Sequence, residues 1–137
     1  MPVQQGKLTI VIPKESLTDM ALENLQKIIA NKETLFQRAF RTDSTEIEIT
    51  EEKINFTWFL YTTDNDEISA YTQFISRLCD MARDAKRVSS KPTETDNDKY
   101  AFRCFLLRLG FIGKEYKTAR KILLRNLMGN SAFRSAK

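Results

Sequence analysis

"TEIEITEEKINFTWF", residues 45–59, decides the fold. Apolar and polar residues alternate along it with a period of two, the signature of a strand with one buried face. With Glu51 and Glu52 as the turn, Ile49 faces Ile54 and Ile47 faces Phe56 on one side. On the other side Glu48 meets Asn55 and Glu46 meets Thr57. In that register every apolar residue falls on one face, and a slip by one residue scatters them. The stretch therefore predicts an antiparallel hairpin. Glu-Glu is poor chemistry for a tight turn, so a longer loop stays open.

Upstream, "KLTIVIP" alternates Leu8, Ile10 and Ile12 against Thr9 and Val11 and stops at Pro13, which predicts another strand. Ser16, with Asp19 three residues on, resembles a helix N-cap. Leu17, Ala21, Leu25, Ile28 and Ile29 then keep helical spacing, and Leu35, Phe36, Ala39 and Phe40 continue it. The polar "ANKE" between the two runs is a place for the helix to bend or break. Downstream of the hairpin, Asp64 or Asp66 can cap a helix marked by Ile68, Tyr71, Ile75, Leu78, Cys79 and Ala82. Its last turn, "RDAKR", sets cations near the carbonyl end.

"VSSKPTETDND", residues 88–98, has no periodicity and reads as a linker. In "DKYAFRCFLLRLG", Phe102, Phe105, Leu106 and Leu109 form one stripe and Tyr100, Cys104 and Leu107 a second, which predicts a sandwiched, central helix. Gly110 suits its C-terminal cap. A last helix is expected from about Lys114 to Met128, stopped by Gly129.

The resulting expectation is an α+β fold. A small three-stranded antiparallel sheet (β-α-β-β-α; residues 7–12, 46–50 and 53–60) is packed by two helices near 16–40 and 66–87. A C-terminal helical hairpin, 98–128, docks through its first helix. Residues 1–87 form the first unit and 99–137 the basic hairpin and tail, packed together as one domain. Cys79 and Cys104 read as buried free thiols.

Charge is divided unevenly. From residue 99 onward there are ten Lys or Arg against one acid, Glu115, out of 22 and 18 in the chain, which leaves 12 basic and 17 acidic residues in the first 98. A helical wheel sets Tyr116, Ala119, Leu123 and Leu127 on one face of the last helix. Lys114, Lys117, Lys121 and Arg125 share the opposite face, with Arg120 beside the apolar stripe. Two helices joined by "GFIG" resemble a helix-turn-helix, and such a row can follow phosphates of DNA or RNA. Lys114, Lys117, Arg120, Lys121 and Arg125 are the candidate nucleic-acid-binding residues. The same pattern is also what a wet helix face shows in any basic chain. No Asn, Gln or second Arg converges to read bases.

A second candidate surface is acidic: Asp43, Glu46, Glu48, Glu51 and Glu52 around the hairpin, then Asp64, Asp66 and Glu67. Such carboxylates can hold a divalent cation or meet a basic protein, or they can simply keep the sheet edge from aggregating. The chain has no histidine, CxxC, phosphate-cradling glycine loop or nucleophile elbow, so no enzyme, metal site or cofactor is expected. No apolar run reaches membrane-spanning length and the N-terminus lacks a signal peptide's apolar region, so a cytoplasmic protein without a membrane partner is expected.

Three stretches, "KLTIVIPKESLTDMALENLQKIIA", "AYTQFISRLCDMARDAKRV" and "KYAFRCFLLRLGFIGKEYKTARKILLRNLMGNSAF", are together similar to a family of small "virulence-related" proteins on integrative and conjugative elements of gut Firmicutes. That label names no activity and carries no site residues. The resemblance implies a setting, a bacterial cytoplasm and a mobile genetic element, where small proteins serve DNA transfer or maintenance, or bind host factors. Two functions follow as expectations. The first is a non-enzymatic accessory protein contacting DNA or RNA through the basic last helix. The alternative is a protein-binding module or inhibitor acting on a host- or element-encoded protein.

Overall fold

The computed structural model describes residues 6–92 and 96–128. The hairpin forms in the expected register: β2 (Ile47–Ile49) runs antiparallel to β3 (Lys53–Leu60), with Ile49 opposite Ile54, Glu48 opposite Asn55 and Ile47 opposite Phe56. The turn is tight despite its Glu-Glu tip. Thr50 N–H donates to the Lys53 carbonyl at 2.8 Å, and the Lys53 N–H is taken by the Thr50 hydroxyl at 3.0 Å. A side-chain oxygen thus replaces one of the backbone bonds that close a glycine-containing turn.

β1 (Lys7–Pro13) pairs with the other edge of β3, giving the antiparallel order β1-β3-β2. The register shifts between Leu8 and Ile10, so that Thr57 and Trp58 together oppose Thr9 in a β-bulge. The extra residue changes the parity of β3. Trp58 and Phe59, neighbours in sequence, are therefore both buried. The inner face carries Ile10, Ile54, Phe56 and Trp58, while Thr9, Val11, Asn55 and Thr57 face outward.

Five α-helices are present among the described residues: α1 (Asp19–Asn31), α2 (Glu33–Phe40), α3 (Asn65–Asp84), α4 (Asp98–Leu109) and α5 (Lys117–Leu124). The α+β architecture and the C-terminal helical hairpin agree with the sequence reading. Several details differ. The helix expected over 16–40 is two helices, broken at Lys32 (φ −107°, ψ 13°) within "ANKE". Thr18, not Ser16, caps α1, its hydroxyl accepting from the Ala21 N–H at 3.1 Å. Ser16 lies in a 3-10 turn and donates to the Pro13 carbonyl.

Asp64 caps α3 by accepting from the Glu67 N–H. The helix ends at Asp84 rather than near 87, because Asn24 reaches across to the Ala82 and Ala85 carbonyls and Ala85 turns extended. Residues 85–92 and 96–97 carry no helix or strand. Asn97, the last of these, is nevertheless buried and caps α4.

The central helix is α3, not α4. It buries Phe74, Ile75, Leu78 and Ala82 and packs against α1, α4, α5 and β1. The second stripe of α4, Tyr100, Cys104 and Leu107, is only half-buried. Nor does the C-terminal hairpin dock through its first helix alone, since α5 packs on α3 and α2. One aromatic cluster unites the chain: Phe36 and Phe40 from α2, Trp58 from β3, Phe74 from α3, and Phe102 and Phe105 from α4. Phe36 sits at its middle, fully buried, with Phe74 and Phe102 edge-on at 5.5 and 6.0 Å between centroids. Such tilted pairs add about 0.5–1.5 kcal/mol each to the burial itself. Residues 1–87 and 99–128 therefore share one core rather than two.

Cys79 is buried and Cys104 half-exposed; both are free. Burial pushes the Cys79 thiol up to about 11. Among the described residues no helix is long and apolar enough to cross a membrane.

Candidate nucleic-acid interface

The segment after α4 is built by two glycines in the left-handed region, Gly110 at φ 104° and Gly113 at φ 92°. Gly110 caps α4, its N–H and that of Phe111 closing on the Leu107 and Leu106 carbonyls. Phe111 then drops into the core and Ile112 points out to solvent. The chain re-enters helix through a 3-10 turn, Lys114–Tyr116, and continues as α5. The helix is shorter than the 114–128 expected, because Leu124 ends it and Leu127 closes a further turn onto the Leu124 carbonyl. Gly129 lies outside the described residues.

Leu123, Leu124 and Leu127 are buried, which turns the opposite side of this segment to solvent. Lys114, Lys117 and Lys121 are exposed there, and none makes an ion pair among the described residues. With 3-10 and α-helical rises the row is roughly 12 Å long. That matches three to four nucleotides of one strand at about 3.4 Å each. Glu115, the acid within the row's segment, is exposed as well.

The other two candidates are used internally. Arg120 turns back over the glycine turn, donating from one guanidinium nitrogen to the Phe111 carbonyl at 2.9 Å and the Gly113 carbonyl at 3.0 Å. It braces the link between α4 and α5. Arg125 joins Glu67 of α3 at 2.5 Å and donates to the Tyr71 hydroxyl at 3.3 Å, pinning the end of α5 to the start of α3. A hydrogen bond from the Thr62 hydroxyl and the Arg125 pair hold the Glu67 carboxyl below its usual range. Burial, the largest single influence, would lower Arg125, but the hydrogen bonds and charges of Glu67 and Tyr71 together hold it above the ordinary value. Burial raises the Tyr71 phenol. The acidic and basic parts of the chain thus meet at this pair without covering the three lysines.

Arg77 belongs to the same surface and was not singled out from sequence. Its guanidinium donates to the Tyr116 hydroxyl at 2.6 Å and lies 5.5 Å from that ring's centroid. It also crowds Gly110, where an added Cβ would come within 3.0 Å of it. In sequence Arg77 is one polar residue on the wet side of a long helix; its partners lie 33 and 39 residues away.

The acidic side chains do not form a comparable centre. Glu46, Glu48, Glu51 and Glu52 are exposed around the hairpin, and Glu48 accepts from Asn55 at 2.6 Å. Asp64 and Glu67 are committed to the start of α3. Among the described residues no three potential metal ligands converge. Compared with protein-family models, curated proteins and solved structures, the chain finds no match.

Proposed function

We propose that this protein is a non-enzymatic accessory protein that grips the phosphate backbone of nucleic acid through Lys114, Lys117 and Lys121. The observation that carries the reading is the row itself: three exposed ammonium groups on one side of a helix, unpaired among the described residues. Arg120 and Arg125 are positioning residues that hold this helix to the body of the protein. The contact is with phosphates rather than base edges, because lysines are mobile point charges and the row lacks the paired Asn, Gln or Arg donors of base readout. A mobile element, the setting implied by the family resemblance, offers both duplex and single-stranded DNA to such a protein.

The test is fluorescence anisotropy with random duplex and single-stranded oligonucleotides at several salt concentrations. Wild type binds both, more weakly as salt rises. The triple variant Lys114→Glu, Lys117→Glu and Lys121→Glu keeps its melting temperature and loses binding. Undiminished binding by that variant overturns the reading.

A further inference from the structure

A groove of about 730 Å³ lies between the α1–α2 junction, the C-terminal half of α3 with the loop after it, and the end of α4. Its floor is apolar, from Ile28, Met81, Phe105 and Leu109. Its charged lining is Lys32, Arg77, Arg83, Arg87 and Arg108 against Asp80 and Asp84, five cations and two carboxylates, a net of +3. Arg83 pairs with Asp80 and donates to the Ser16 carbonyl, which removes that pair from the balance. Lys32, Arg77, Arg87 and Arg108 are left against Asp84.

Two of these cations are drawn to the same ring. The Lys32 ammonium lies 5.6 Å from the Phe105 centroid and the Arg108 guanidinium 5.9 Å from it. Lys32 is half-buried, and burial, followed by repulsion from Arg108, lowers its pKa. Neither makes an ion pair among the described residues. Like charges held over one apolar floor are unfavourable in the free protein, and an anion seated between them relieves that. Two carbonyls at the C-terminal end of α3, which would oppose an anion, are engaged: Asn24 donates to the Ala82 and Ala85 carbonyls.

We propose that this groove binds a phosphomonoester group, the doubly charged phosphate of a free nucleotide or of a 5′-phosphorylated strand end. Lys32 and Arg108 are its principal ligands, with Arg77 and Arg87 at the rim. A net of +3 suits a dianion better than the single charge of a backbone diester. The volume falls in the range of small-molecule pockets, roughly 300–1,000 Å³. Guanidinium forks match phosphate oxygens in pairs. The site does not depend on the lysine row, although Arg77, which lines the groove and bonds Tyr116, makes the two surfaces continuous.

Calorimetric titration with AMP and with inorganic pyrophosphate at low salt tests the site directly. Anisotropy compares oligonucleotides bearing a 5′-phosphate or a 5′-hydroxyl. Wild type is expected to bind the phosphate compounds, and Lys32→Met and Arg108→Gln each to weaken that binding at least ten-fold. Lys32→Met should also melt above wild type when no ligand is present, since the substitution keeps the packing and removes the repulsion. The triple lysine variant retains AMP binding, which separates this site from the backbone contact. Tight AMP binding without preference between the two strand ends assigns a free nucleotide; a preference for the 5′-phosphate assigns a strand end. No binding of AMP or pyrophosphate by wild type, together with equal affinity for the 5′-phosphate and 5′-hydroxyl strands, overturns the proposal. So does binding that survives undiminished in both single variants.

Discussion

Replacing Lys114, Lys117 and Lys121 by glutamine removes three charges and leaves the buried side of α5, Leu123, Leu124 and Leu127, untouched. If each lysine neutralises one phosphate of duplex DNA, the row contributes about −0.9 per contact to the slope of log affinity against log salt, near −2.7 in all. Between about 50 and 200 mM salt, that slope corresponds to a roughly 40-fold loss of affinity. The triple glutamine variant should flatten the wild-type slope by about 2.7, and each single variant by about 0.9. Arg125→Met supplies the contrast. It removes an arginine of the same segment, but one engaged with Glu67 and Tyr71, so it should lower stability and leave the slope alone. Anisotropy titrations at four or more salt concentrations measure all of these. A slope unchanged in the triple variant, or flattened as much by Arg125→Met as by a lysine substitution, refutes the reasoning.

Further outcomes follow from the core and the ion pair. Phe36→Ala empties the middle of the aromatic cluster and should cost about 3–5 kcal/mol in chemical denaturation, a large share of a typical domain's roughly 5–15 kcal/mol. A loss under 1 kcal/mol would contradict the packing. A double-mutant cycle between Glu67→Gln and Arg125→Met should give a coupling of about 0.5–1 kcal/mol, because Arg125 remains 45% exposed. Since the folded-state pKa of Glu67 is lowered, its contribution is present above the ordinary value of 4.5 and is lost as pH falls through the folded value. The gap in melting temperature between wild type and Glu67→Gln should therefore narrow only in acid, and a gap independent of pH down to full protonation rules this out. With its thiol pushed up to about 11 and buried, Cys79 should resist alkylation at pH 8 in the folded protein, while half-exposed Cys104 reacts. Mass spectrometry after brief iodoacetamide treatment distinguishes the two, and rapid labelling of Cys79 would contradict its burial.

The hairpin register was legible in residues 45–59 because alternation is a local signal: each side chain's face follows from its neighbour's. Helix starts at Asp64 and stops at Gly110 were legible for the same reason, since a cap is a contact over three or four residues. The outward orientation of Lys114, Lys117 and Lys121 also follows from local periodicity, given the leucines on the other side of α5. Where the reading failed, the deciding partner was distant in sequence. The β-bulge that buries Phe59 answers to β1, some fifty residues earlier. α3 stops early because Asn24 of α1 reaches its carbonyls.

The division among the basic residues has the same origin. Five side chains of one short segment look alike in sequence, and tertiary contacts sort them. Arg120 finds the carbonyls of a glycine turn, Arg125 finds Glu67 and Tyr71 more than fifty residues away, and the three lysines find no acid within reach among the described residues. The groove beside them exists only in three dimensions, since Lys32, Arg77 and Arg108 come from separate elements. Periodicity thus determined which residues could be wet or buried. Only long-range packing decided which charges were used to hold the fold and which were left exposed without an ion pair among the described residues, because an ion pair requires a partner within about 4 Å and the chain order does not say where that partner lies.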